Sequence, residues 1–128
     1  MIIGGIGCRR GASAADVTAA IEMAFARTSA AKDRLRAIAT VVSKKDEIGI
    51  ATAAAIWGVP LVLLSQRDLQ AASERTLTRS ARVMELFRVS SIAEAAALAA
   101  GGPTARLLGA RVTVGSVTCA LTETDPAP

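Results

Sequence analysis

Apolar and polar positions alternate between two periods along the 128-residue chain, and each change of period marks an element. Met1–Ile6 is an unbroken run of apolar residues and glycine, the pattern of a strand buried on both faces. Val17, Ile21, Ala24 and Phe25 then recur at helical spacing. Leu35–Val42 closes on the β-branched Thr40-Val41-Val42 and reads as a second strand. Pro60–Leu64 reads as a third, entered through Gly58-Val59-Pro60, because proline fits a strand at its first residue. Gln66–Ala72 is a short helix, and Ser91–Ala100 an alanine-rich one stopped by Gly101-Gly102-Pro103. Ala105–Leu108 is apolar. Arg111–Val114 and Val117–Leu121 flank Gly115-Ser116, which predicts a hairpin and therefore a mixed sheet. Ser73–Arg82 is polar and basic and reads as an exposed connection. Val83–Phe87 fits a helical turn or a strand equally.

Helix starts are marked separately. Ser13/Asp16, Ser43/Asp46, Ser65/Asp68 and Ser91/Glu94 all have the Ser-x-x-acid spacing of a capping box, each after an apolar run or a linker. With strands between them, these starts predict an α/β fold with right-handed crossovers. The expectation is a single domain over 1–122, three-layered, with a mixed, largely parallel sheet and about four helices. Residues 123–128 are expected to be a flexible tail.

Composition narrows this picture. Aromatic residues are limited to Phe25, Trp57 and Phe87, so the core must be aliphatic. No stretch reaches the ~20 apolar residues of a membrane span. Met1–Ile6 is too short, and lacks the basic flank, for a signal peptide. A cytoplasmic protein is expected, with Cys8 and Cys119 as free thiols. Without histidine or a Cys-x-x-Cys pair, a dedicated zinc site is not expected. The net charge of +4 favours an acidic partner.

The candidate chemistry starts in the first strand-to-helix loop. Gly5-Ile6-Gly7 followed by Gly11 resembles a dinucleotide fingerprint with one residue too many. The acid that would hold a ribose is replaced by Ser43-Lys44-Lys45, so NAD is disfavoured and an NADP-binding domain is the remaining nucleotide reading. A tight turn without ligand is the alternative. Adjacent Arg9 and Arg10 favour a carboxylate or phosphate. Cys8 lies just before a helix and beside both arginines, conditions that lower a thiol pKa. It is the candidate nucleophile, although no histidine exists to serve as its base, and a small side chain lining the turn is the other reading.

A second charged loop, Ser43–Glu47, follows the second strand and falls on the same sheet edge, where ligands of open α/β sheets gather. There Lys44 is a candidate anion holder, and Asp46 and Glu47 are candidate acid–base groups, with Asp46 also explained as a capping acid. Ser65, at the end of the third strand, caps a helix and can lend one hydrogen bond. The basic stretch from Arg67 to Arg88 is broken by Asp68, Glu74 and Glu85 and has no aromatic platform, which disfavours nucleic acid.

In order along the chain, Ile3-Gly4-Gly5-Ile6-Gly7-Cys8-Arg9-Arg10-Gly11, Ser43–Glu47 with Gly49, Val59-Pro60-Leu61, Ile92–Leu98 and Val117–Ala120 resemble the family of CobE and the C-terminal domain of CbiG. The resemblance implies a part in building the corrin ring of cobalamin. Its expected ligand is a corrin precursor, metal-free or holding cobalt, fringed with acetate and propionate carboxylates. The matched motif residues are Gly7, Cys8, Arg9, Arg10, Gly11, Lys44, Asp46 and Glu47. Ala110-Arg111 stands where the family usually has Pro-Lys, which keeps the charge but not a lysine's chemistry. CbiG proteins open a precorrin lactone, and that activity belongs to a longer protein. A corrinoid-binding protein is thus the leading expectation, with a hydrolase of the CbiG type as the alternative. Other cobalamin-biosynthesis enzymes are the expected protein partners.

Overall fold

A computed structural model describes residues 1–81, 83–84 and 91–124. Most of Val83–Phe87 lies outside the described residues, as do Arg82, Arg88 and positions 125–128. Ten elements follow in chain order: β1 (Ile2–Cys8), α1 (Ala14–Ala26), β2 (Leu35–Val41), α2 (Ile48–Trp57), β3 (Leu61–Leu64), α3 (Gln66–Ala72), α4 (Ile92–Gly101), β4 (Arg106–Leu107), β5 (Val112–Val114) and β6 (Val117–Glu123).

The sheet is mixed, with strand order β3-β2-β1-β6-β4 and β5 beside β6. β1, β2 and β3 run parallel, whereas β6 returns antiparallel to β1, from Cys8 opposite Val117 to Ile2 opposite Glu123. Side-chain alternation along β1 divides the core in two. Ile2 and Ile6 pack with Val17, Ile21 and Ile50 under α1 and α2. Ile3 packs with Leu69, Ile92, Ala95 and Leu98 under α3 and α4. The result is the three-layer α/β domain that the alternation of elements implied.

α4 sits unusually close to the sheet, and glycine is the reason. A Cβ on Gly5 would fall 1.9 Å from the Ala93 carbonyl oxygen and 2.8 Å from the Ala97 nitrogen. A Cβ on Gly7 would fall 2.7 Å from Thr118 Oγ1. The alanine-rich helix and the glycine-rich strand are therefore one packing device, with small residues on both sides.

Three of the four serines cap their helices. The Oγ atoms of Ser13, Ser65 and Ser91 accept from the amides of Asp16, Asp68 and Glu94 at 3.1, 3.1 and 3.3 Å. Ser43 does not cap. The chain leaves β2 through a 3-10 turn over Val42–Lys44, which takes Ser43 into the turn, and α2 starts only at Ile48 with Glu47 at its N-cap. The Gly115-Ser116 turn joins β5 to β6 as the sequence indicated, with Gly115 at φ 58°.

Two segments differ from expectation. The Ser73–Arg82 connection is anchored: Ser73 and Thr76 are buried, and Leu77 and Thr78 donate to a core carboxylate described below. β6 also continues through Glu123, whose Oε1 pairs with Arg34 at 3.1 Å and Arg106 at 3.4 Å. Thr124 and Met1 then exchange backbone bonds of 2.9 and 3.1 Å, tying the described end of the chain to its start.

Candidate functional site

Because β1, β2 and β3 are parallel, their C-terminal ends, Cys8, Val41 and Leu64, share one edge of the sheet. The β5–β6 turn lies there too, since Val117 pairs with Cys8. Each parallel strand leads into a helix, so α1, α2 and α3 begin at this edge. α4 joins them, with the Ile92 Cβ 3.5 Å from the Cβ position of Gly7. The positive ends of α1 and α2 thus lie at the two charged loops, with the starts of α3 and α4 on the same edge.

The loops touch. Gly11, at φ 79°, takes the left-handed turn that leads into α1, and its N–H donates to Glu47 Oε1 at 2.8 Å. A Cβ on Gly49 would fall 2.2 Å from the Ala12 carbonyl oxygen, so the start of α2 abuts the first loop at backbone range. On the other side, Arg9 N–H donates to the Ser116 carbonyl at 3.1 Å. The 9–13 loop is therefore held between the second charged loop and the hairpin turn. Below it, Thr40 Oγ1 donates to the Ile6 carbonyl at 2.7 Å, joining the ends of β1 and β2.

The site residues named from the sequence divide as follows. Arg9 and Arg10 are exposed, Lys44 is half-buried, and none of the three makes an ion pair among the described residues. Lys44 and Glu47 are close enough to Cys8 to act on its thiol electrostatically. Asp46 is exposed and, with Ser43 drawn into its turn, has no capping role. Ser65 is on the same edge but two strands from β1, roughly 10 Å away.

Gly7 is a buried strand residue beneath the start of α4, as Gly5 is beneath its body, so neither glycine belongs to a phosphate-cradling loop. That removes the dinucleotide reading of Gly5-Ile6-Gly7: Gly5 is glycine because the α4 backbone lies against it, and a Cβ on Gly7 would meet Thr118 Oγ1 of β6.

Cys8 also differs from expectation. Burial pushes its thiol up from the ordinary value; Lys44 pulls it down and Glu47 pushes it up again. Burial is the largest of these effects, and the charges that act on the thiol come from the β2 loop rather than from the adjacent arginines, so the thiol is not activated as its flanks suggested. Cys119 is fully buried and pushed up to about 12.

One important acid was read from the sequence only as a cap. Glu94 is completely buried among the alanines of α4. Its Oε1 accepts from the amides of Leu77 and Thr78 at 2.6 and 2.8 Å, and its Oε2 from Thr78 Oγ1 and the Arg111 amide at 2.6 and 2.8 Å. These donors hold its carboxyl below the usual range against the opposing effect of burial. The available signal was an acid on an otherwise apolar helix turn, although its partners could not be named. Glu94 fastens the connection after α3 and the approach to β5 onto α4.

Away from this edge, a concavity of about 460 Å³ lies between the start of β2 and the end of α2, lined by Lys32, Asp33, Arg36, Trp57 and Pro60 among others. No helix among the described residues is long and apolar enough to cross a membrane.

Comparison with known proteins places this geometry in context. A family profile described as the cobalamin synthesis G C-terminus matches residues 2–122. Protein CobE of a Sinorhizobium species is 31% identical over 117 residues, covering 91% of this chain and 76% of that protein. The cobalt-precorrin-5A hydrolase of Priestia megaterium is 35% identical over 69 residues, which span 54% of this chain but only 18% of the hydrolase. Among solved structures, the crystal structure of CobE, a protein from the cobalamin (vitamin B12) biosynthetic pathway, matches with a TM-score of 0.89 and 35% identity. That match covers 95% of this chain and 89% of the other.

Proposed function

The chain belongs to the family of the cobalamin synthesis G C-terminus and is a cobalamin-biosynthesis protein, and from that premise we propose that its clustered loops bind a carboxylate-fringed corrin precursor. The observation that carries the reading is the Gly11 N–H to Glu47 bond, which holds the loop of Arg9 and Arg10 against the loop of Lys44, with none of these three cations ion-paired among the described residues. A corrin precursor presents several acetate and propionate groups from a largely apolar ring. Arg9 and Arg10 take carboxylates in charge-assisted hydrogen bonds, and Lys44 adds a point charge beside them. The helix ends contribute partial positive charge. Val42 and Ile48, 45% and 80% exposed on either side of Lys44–Glu47, offer apolar surface to the ring.

A binding role is favoured over hydrolysis. The hydrolase relative shares only a small part of its length with this chain. Cys8, the one thiol at the site, is held protonated rather than activated. The sequence holds no histidine to serve as its base. Co-expression with a corrin-forming pathway tests the reading. The purified protein is expected to carry a tetrapyrrole chromophore visible in its absorption spectrum. A colourless protein from cells that accumulate corrin precursors contradicts it.

A further inference from the structure

Glu47 occupies the N-cap of α2 but does not cap it. Its side chain makes no bond to the helix amides and reaches instead to Gly11 N–H, 36 residues earlier in the chain. Gly11 is exposed, and nothing lies within 4 Å of its Cβ position, so the residue borders open space beside the bonded amide. Arg9 and Arg10 immediately precede it in sequence, and Lys44 precedes Glu47 by three residues. In the free protein, then, a side-chain carboxylate is bound at the amide where a ligand carboxylate would be received.

Building on the binding reading above, we propose that Glu47 is a displaceable stand-in for a substrate carboxylate and that it sets the selectivity of the site. A ligand carboxylate arriving at Gly11 N–H must expel Glu47. A monocarboxylate gains only what Glu47 gives up. A polycarboxylate held at the same time by Arg9, Arg10 and Lys44 gains the exchange as one part of a multivalent contact. The selectivity is therefore for ligands with several carboxylates on one frame. Released Glu47 stays beside the free amides at the start of α2, which can receive it, so the exchange has two defined end states.

The test compares wild type with Glu47→Ala and with Glu47→Asp, which keeps the charge but is one methylene too short for the 2.8 Å contact. The Gly11 amide resonance of the free protein should move in both variants as its carboxylate partner is lost. Both variants should bind a metal-free corrin with free acetate and propionate groups about three- to tenfold more tightly than wild type, because the competing bond is gone. The same tightening in Glu47→Asp separates displacement from simple removal of negative charge. A Gly11 resonance unmoved in Glu47→Ala overturns the inference while leaving corrin binding intact, as does unchanged or weaker binding by Glu47→Asp. Absence of corrin binding in wild type and both variants overturns this inference together with the binding reading.

Discussion

Glu47 Oε1 accepts the Gly11 amide at 2.8 Å, so the loop after β1 and the loop after β2 form one surface. Gly49 makes that contact sterically possible, since the start of α2 lies against Ala12 where a side chain would stand. Gly49→Ala should therefore move the two loops apart. The expected cost is about 1–3 kcal/mol of stability, the usual range for overpacking, together with weakened corrin binding. Urea unfolding and a ligand titration on the same protein check both parts.

Gly5→Ala tests the seam between β1 and α4. Its Cβ would overlap the Ala93 carbonyl, which is helix backbone and cannot rotate away. The helix must lift from the sheet, and a loss of about 3 kcal/mol or more in urea unfolding is expected, at the upper end for overpacked cores.

Glu94→Gln should be strongly destabilising, by roughly 3 kcal/mol at neutral pH, because four donors converge on a buried carboxylate and an amide can satisfy only some of them. The pH dependence has a definite sign. The folded-state pKa lies below the ordinary value of 4.5, so the carboxylate's contribution is complete above that value and is lost as pH falls through the folded pKa. The gap between wild type and variant should hold at pH 7 and narrow as pH falls below 4.5 and through the folded-state pKa. Thermal unfolding across that range measures it.

The two thiols should behave differently towards an alkylating reagent. Cys8, half-buried with its pKa raised, should react slowly at neutral pH and faster as pH rises, and Lys44→Ala should slow it further. Cys119 should react only on unfolding. Mass spectrometry of the alkylated protein over time at several pH values distinguishes them.

What could be read from the sequence was local or followed from strand direction. Ser13, Ser65 and Ser91 cap helices because the serine-to-amide bond closes within four residues. The Gly115-Ser116 hairpin is equally local. The meeting of the Gly11 and Glu47 loops was legible because consecutive parallel strands end on one edge. What was hidden depends on distant partners. Gly5 and Gly7 resembled a ligand loop because what requires them small lies far along the chain, the α4 backbone from Ala93 for Gly5 and Thr118 for Gly7. Ser43 matched the capping pattern, but the 3-10 turn leaving β2 displaced the helix start. The direction of the Cys8 shift depends on burial and on Lys44 and Glu47, which no reading of its own flanks contains.

The most direct test of the central claim is an absorbance titration of a metal-free corrin carrying free acetate and propionate groups with wild type and with Arg9→Ala. Saturable binding is predicted for wild type. It should weaken with added salt, and by about 1.5–3 kcal/mol in Arg9→Ala as a charge-assisted hydrogen bond is lost. No saturable spectral change with wild type, or equal affinity in Arg9→Ala, would contradict it.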